Sequence, residues 1–539
     1  MKSINWQWLG LAIAAVILQL LYLPTRLAGF VTDFTGLAER IETHGAAGIP
    51  GSFGFPALQP VSSVFYYFFY HSYSLEGWGW HLSMTLLHTI NAALLFFLVR
   101  RLLGSGTERS AQLPAAAGAL LFLFSPYATE VIVWRVGFHY LLVTTLLLGM
   151  LWHISRWLET PKATIFWTIL GLQIAALLTY ELAVIAPILG LILILWQHRR
   201  GELKEALYRL TIPQFSLVGL YFVGNRALLG SWIGHYGSEV HLQFPLGDMI
   251  ANVGRYFVKM AAFSRYWPHP WKESVAVWLR QPFGLILLTL LSLGLLAWMF
   301  RSFRHVDRRA QLTWAFGLAT FIALVPVLNL YFNYLLHIEN DRYGYLPALF
   351  FYPAWVALLS RLPRGLYYFL TGVYLFISIG LLQRTNLYWA QSTRVYRTLL
   401  DDFPAYDRDS CYLLNLPDNL QGAPMFRDFS GKDRAFADAL QYVKRQPYSG
   451  VLEEVVQYNM VFPTDGVLVE PDSNDLKVTF RQWGNWWWRR GIGASSYRDS
   501  SFIFHNEGHH YRLEWRDRPR AAAILYQDGS NWHSWTQQE

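Results

Sequence analysis

The chain has little cysteine, little charge and no obvious nucleotide signature. A single cysteine, Cys411, among 539 residues excludes an intramolecular disulfide framework and any cysteine-based metal cluster. Charged residues make up 15% of the chain against 53% hydrophobic, which excludes disorder and argues against an ordinary soluble enzyme. No glycine-rich nucleotide loop, internal repeat or low-complexity linker is visible. Nor are there two related halves with Gly/Pro-broken spans, the pattern expected of a transporter.

What is present is a series of apolar runs of membrane-spanning length that continues to about Leu382 and then stops. The first, Ile4 to Leu23, is too long and lacks the small-residue cleavage site of a removable leader, so it reads as a signal anchor. Further runs cover Gly79–Val99, Pro114–Pro126, Gly137–Ile154, Ile165–Thr179, Leu182–Trp196, Pro213–Gly224 and Phe283–Phe300. Three more end near Tyr334, Leu359 and Leu382, for about eleven spans. The net charge of +8 sits in short loops between these runs, at 100–109, 198–209, 301–309 and 361–364. Alternate counting puts each of those loops on the side of the N-terminus, so membrane orientation explains the charge better than nucleic acid does.

The same count puts residues 30–78, the tips of the apolar hairpins and everything after 384 on the outer side. The tail has turn dipeptides and alternating runs, Leu476–Phe480 and Tyr511–Trp515, with a more helical stretch from Asp433 to Val443. These features predict an α-helical polytopic membrane protein, 1–383, with a C-terminal α+β domain outside the membrane, 384–539.

Ionisable groups gather on that outer side: Asp33, Glu39, Glu42, Glu130, Arg135, His139, Glu181, Arg226, His235, Glu239, His337, Glu339, Asp341 and Arg342. At membrane depth such groups default to function, although Glu130 with Arg135 is equally well read as a pair tying a hairpin tip. Acids and arginines on one face suit a cavity that holds a phosphate and activates a hydroxyl. His81, His88 and Asn91 share one helical face, where interhelical hydrogen bonding is favoured over metal ligation. Tyr266–Trp271 suits a membrane interface or a groove that admits lipid, and for Trp486–Trp488 core packing and sugar stacking both stand open.

Six fragments in order resemble one family. Phe30-Val31-Thr32-Asp33 is similar to the "F-V-x-D-D" start of the first outer loop in GT-C class membrane glycosyltransferases. The likeness is to the protein O-mannosyltransferase-like, TPR-bearing branch. Gln59–Ser63 resembles its "R-P-L-x-x-x-S", and Trp78–His81 with His88 and Asn91 its "W-G-x-H-x-x-N-x-x-L-H-x-x-N". Ser125–Glu130 resembles "H-P-x-x-T-E-A-V", Tyr180-Glu181 the "K-E" pair, and Glu339–Pro347 "E-R-Y-L-Y-L-P". The likeness covers about 7–400, and the tail lacks the TPR period. Two acids of the family pattern are replaced, one by Phe34 and one within Val136–His139.

The resemblance implies transfer of a sugar from a polyprenyl-phosphate donor to a glycan, lipid or protein acceptor outside the cytoplasmic (inner) membrane. Asp33 would be the general base, and Arg342, Arg135 and then Arg226 would hold the donor phosphate. Glu39, Glu42, Glu130, His139, Glu181, His81, His88 and Asp341 would bind substrate or support the site. The resemblance fixes no cofactor: arginines or a divalent cation would steady the leaving phosphate. A glycan polymerase or ligase, or a transporter of lipid-linked sugar, are the rival readings. No nucleic-acid partner is expected.

Overall fold

The computed structural model describes residues 6–535 apart from 105–108, 198–202, 234–244, 304–307, 330–339, 428–433, 473–474, 481–485, 489–495, 499 and 517–521. His235, Glu239, His337 and Glu339 therefore lie outside the described residues.

Among the described residues the apolar runs are largely helical, and the end of the run near Tyr334 lies outside them. Helix α1 (Trp6–Tyr22) leads through a short turn to α2 (Asp33–His44), α3 (Pro60–Tyr73) and α4 (Trp78–Leu103). Then come α5 (Arg109–Leu123), the one-turn α6 (Thr129–Val133), α7 (Phe138–Glu159), α8 (Ala163–Leu177), α9 (Ala186–Gln197), the short α10 (Leu203–Ala206) and α11 (Ile212–Leu229). Helices α12 (Leu246–Ala262), α13 (His269–Arg280), α14 (Pro282–Phe303), α15 (Arg308–Leu324), α16 (Tyr345–Leu359) and α17 (Arg364–Asp401) complete this part. Among the described residues four helices are long and apolar enough to cross a membrane, or up to six if two bent pairs each count as one span. One bend, of 46°, separates α5 from Pro126–Val133. What reads in sequence as a hairpin tip is thus a folded-in segment, with Glu130 largely covered and Arg135 buried.

Helix α16 is apolar all round and almost wholly buried, as a helix at the centre of a bundle should be. Gly118 of α5 lets it come close, since a Cβ there would meet the Pro353 backbone at 3.0 Å. His88 and Asn91 of α4 tie the bundle with hydrogen bonds. His88 Nδ1 lies 2.7 Å from the Tyr345 hydroxyl, and Asn91 donates to the Leu141 carbonyl at 3.0 Å and to Tyr345 at 3.2 Å. By contrast, the first part of α17 exposes Leu366, Phe369, Val373 and Phe376, the surface a lipid-facing helix presents. Helix α12 exposes Leu246 and Phe257 beside a buried face, the amphipathic pattern of a segment lying at an interface, and α13 exposes Trp271 and Trp278.

Helix α17 has 38 residues, about 57 Å at 1.5 Å per residue, well beyond the ~30 Å of a bilayer core. No proline or glycine interrupts it at 383, so it carries on to Asp401 as the stem of the C-terminal domain. That domain is richer in strand than the sequence suggests. Its strands are β1 (Ser410–Leu420), β2 (Ala423–Pro424), β3 (Val451–Met460), β4 (Val467–Asp472), β5 (Asp475–Phe480) and β6 (Trp486–Trp488), then β7 (Tyr497–Arg498), β8 (Phe502–Asn506), β9 (His510–Trp515), β10 (Ala523–Asp528) and β11 (Asn531–Ser534). One sheet runs β11-β10-β1-β3-β6, with β1 parallel to both β3 and β10, and the other is the antiparallel β4-β5-β9-β8-β7. Leu414, Val455, Val478, Phe504 and Leu513 fill the space between them. The other face of the first sheet, through Leu413, Leu416 and Phe436 of α18 (Ala435–Ala439), joins the core of the helical part. Strand β1 is buried on both faces, and its polar side chains Asn415, Asp418 and Asn419 are hydrogen-bonded there. Trp486–Trp488 pair with Val456–Tyr458 at the sheet edge.

Candidate functional site

Asp33 is the first residue of α2, exposed, at the end of a run that has no regular secondary structure of its own. Side chains and amides from elsewhere hold that run. Arg135 Nη2 donates to the Arg26 carbonyl at 2.8 Å and the Thr25 carbonyl at 3.4 Å, and the Arg135 amide donates to Gly29 at 3.2 Å. Arg397 donates to the Leu27 carbonyl at 3.3 Å and Tyr396 to Phe30 at 3.3 Å, both from the stem of the C-terminal domain. Trp134 Nε1 donates to Val31 O and to Thr32 Oγ1, at 3.3 and 3.1 Å. Backbone carbonyls so claimed leave the run little freedom.

The close approach depends on glycine. Gly29 has φ +87°, and a Cβ on it would lie 1.8 Å from the Val133 carbonyl oxygen. Thr32, just before Asp33, is held at φ 55°, ψ −121°, a conformation unfavourable for a β-branched residue. Strain of this kind persists only where the surroundings over-determine it, and it clusters at functional sites.

Trp134 joins Asp33's run to a charged cluster. The Arg342 guanidinium lies over the Trp134 ring at 5.0 Å and over Tyr343 at 4.7 Å. Arg342 pairs with Glu130 through Nη1 at 2.5 Å and through its own amide at 2.9 Å. Burial works against the Arg342 cation, but the neighbouring Tyr343 and Glu130 outweigh it and keep the guanidinium charged. Asp341, next in the chain, goes the other way. It is buried and takes Lys259 Nζ at 2.6 Å together with Arg265, both from the α12 segment. Asn340, in the left-handed region, turns the chain so that the adjacent acid and base point to different partners. Lys259 also lies over the Tyr127 ring at 5.3 Å. Among the described groups in these contacts, three cations, Lys259, Arg265 and Arg342, face two carboxylates, Asp341 and Glu130, which leaves the cluster positive.

The other expected residues fall in distinct places. His139 Nδ1 lies 2.8 Å from the Tyr66 hydroxyl, its ring is 4.3 Å from that of Tyr180, and Glu181 follows Tyr180. Tyr180 shares a 2.8 Å hydrogen bond with Tyr140, which in turn sits within electrostatic reach of Arg342. This group therefore borders the cluster from the α7 side. His81 is buried in α4, with the nearby charges of Arg135 and Arg26 acting on it. Glu39 and Glu42, three residues apart on α2, turn toward the C-terminal domain, where Tyr442 and Arg445 meet them.

Three expectations change. Arg135 does not face the cluster: it is 1% exposed, its guanidinium is committed to the carbonyls of Thr25 and Arg26, and it stacks on Phe30 at 5.3 Å. It shapes the Asp33 run instead of offering a fork to an anion. Arg226 is exposed and donates to the Gly230 carbonyl at the end of its own helix, which places it as a helix cap. The pairing of Glu130 is with Arg342 and not with Arg135.

Sequence reasoning missed Lys259 and Arg265. A usable signal existed, a lysine on the buried side of an amphipathic helix and an arginine just before the Trp/Pro stretch, but nothing local named Asp341 as their partner. Among the described residues no group of three His, Cys, Asp or Glu side chains is placed to hold a metal ion. No protein-family model, curated protein or solved structure matches the chain.

Proposed function

We propose that this chain is a membrane glycosyltransferase of GT-C type, which moves a sugar from a polyprenyl-phosphate carrier to an acceptor outside the cytoplasmic membrane. One observation carries the reading: an exposed carboxylate, Asp33, stands on a rigidly held run beside a positive cluster at the same end of the helical part. In this reading the helical part crosses the inner membrane about eleven times, with the basic loops inside and the C-terminal domain outside.

Asp33 would accept the proton of the acceptor hydroxyl as its oxygen attacks the anomeric carbon from the face opposite the phosphate. The new C–O bond forms as the bond from that carbon to the phosphate oxygen breaks, with inversion. The electron pair leaves with the polyprenyl phosphate. One base suffices, since the phosphate leaves without needing a general acid. Arg342 offers a planar fork to the departing phosphate, and Lys259 and Arg265 add positive field in a partly dry setting where it counts for more. Tyr127, Trp134 and the exposed aromatics of α12 and α13 would border the sugar and the lipid chain.

The test is turnover by the purified full chain, in vesicles, of a panel of labelled polyprenyl-phosphate sugars in the presence of envelope glycans, lipids and proteins. The expected result is label in the acceptor and equimolar free polyprenyl phosphate. A well-folded protein that neither binds nor turns over any member of the panel overturns the reading.

A further inference from the structure

The C-terminal domain reaches back to the first polar loop at a charged contact. Arg445 ends the helical turn Leu440–Lys444 in the left-handed region, φ 63°, which is unfavourable for a residue with a side chain. From there its guanidinium pairs with Glu42 through Nη1 and meets the Tyr70 hydroxyl through Nη2 at 2.5 Å. It also lies over the Tyr70 ring at 5.6 Å. Tyr70 in turn donates to the same Glu42 carboxylate. An acid on α2, a phenol on α3 and a guanidinium on the outer domain thus close a triangle.

The electrostatics agree with the geometry. Burial pushes the Glu42 carboxyl up, but hydrogen bonds from Arg445 and Tyr70 outweigh it and hold the group below the usual carboxylate range. Burial, with Glu42 adding to it, pushes the Tyr70 hydroxyl up to about 12. Lys444 anchors the same turn, donating to the Leu400 and Asp401 carbonyls at 2.6 and 2.9 Å where α17 ends. Arg445 is therefore tied through its neighbour to the helix whose Tyr396 and Arg397 hold Phe30 and Leu27. The domain grips α2 twice, through the run that enters it and through its last turn.

We propose that Arg445 is a positioning residue, through which the C-terminal domain sets α2 and hence Asp33 for the transfer reaction. Its catalytic half rests on the reading of Asp33 as the base, while the grip itself does not. Hydrogen exchange of the full-length protein in detergent tests the grip. Arg445→Asn tolerates the left-handed backbone and removes the fork, and it should speed exchange across residues 33–44 about tenfold, with α4 and the β-sheets unchanged. Glu42→Gln, made on the other side of the contact, should do the same with the C-terminal domain untouched. Exchanging the charges, Glu42→Arg with Arg445→Glu, should restore part of the protection. Unchanged exchange in 33–44 for both single variants overturns the proposal. On a donor that the wild type uses, both variants should lower kcat about tenfold and leave the donor KM within twofold. Faster exchange with unchanged kcat refutes the positioning role. Failure of the transferase reading is a separate result, seen as absent turnover in the wild type.

Discussion

Replacing Asp33 by Asn separates chemistry from scaffolding. The side chain is exposed and stands at the first position of α2, where its charge against the helix N-terminus is one part of its structural value. That interaction contributes about 0.3–1 kcal/mol at an exposed site, and an amide forfeits most of it. The run before it is held by Trp134, Arg135, Tyr396 and Arg397, none of which the substitution touches. Loss of that charge at the helix end should by itself lower stability by less than ~1 kcal/mol, a small shift in melting temperature for a chain of this size. Loss of a general base, by contrast, lowers rate by about two to four orders of magnitude, or roughly 3–5 kcal/mol of barrier. The assay is turnover of a donor proven on the wild type, with melting temperature and donor affinity measured on the same preparation. Glu39→Gln runs in parallel as the rival base on α2. Turnover by Asp33→Asn within a few fold of wild type refutes the mechanism, and so does a large drop in melting temperature that accounts for the lost rate.

Arg342→Lys keeps the charge and loses the fork over Trp134, so donor KM should rise about tenfold with melting temperature nearly unchanged. Arg342→Ala should cost about 1–3 kcal/mol in thermal unfolding because it strands the covered Glu130 carboxylate, a loss that Glu130→Gln in the same chain should partly reverse. Gly29→Ala meets the Val133 carbonyl at 1.8 Å in a left-handed conformation, and it should destabilise by at least about 1–3 kcal/mol or fail to fold, whereas Gly36→Ala, where a Cβ meets nothing, should be silent. The folded-state pKa of Glu42 is depressed, so the stability it contributes is present above the unfolded value of 4.5 and is lost as pH falls through the folded one. Protection factors in 33–44 should accordingly be flat above about pH 5 and fall in acid, a fall that Glu42→Gln removes. Reporter fusions after Arg109 and Gln538 should report opposite sides of the membrane, and the same side for both refutes the proposed orientation.

Composition and apolar period determined the coarse architecture by themselves. Crossing a bilayer demands long apolar helices, and the four to six helices that meet this demand among the described residues carry it in their own composition, so they are legible without partners. Alternation did the same for β5 and β9, and the turn-rich composition marked the change of domain. Local signals also put His88 and Asn91 on one face of α4, but they left Asp33 in a polar loop, where the structure has the start of α2. They stopped short at 383, because α17 contains no proline and the apolar signal ends before the helix does.

The partners were decided only by the tertiary structure. Glu130 and Arg342 are 212 residues apart, and nothing near either one distinguishes that pairing from Glu130 with Arg135, five residues on. The choice follows from the bend after α5, which buries Arg135 against the carbonyls of Thr25 and Arg26 and leaves Glu130 facing the turn before α16. Lys259 and Arg265 meet Asp341 for the same kind of reason, since α12 packs beside Tyr127 and Leu328 and so brings them to the turn before α16. The grip of Arg445 on Glu42 spans 403 residues and two domains. Charge pairing has no sequence period: a salt bridge depends on distance in space, and only the packed helices bring these groups within it.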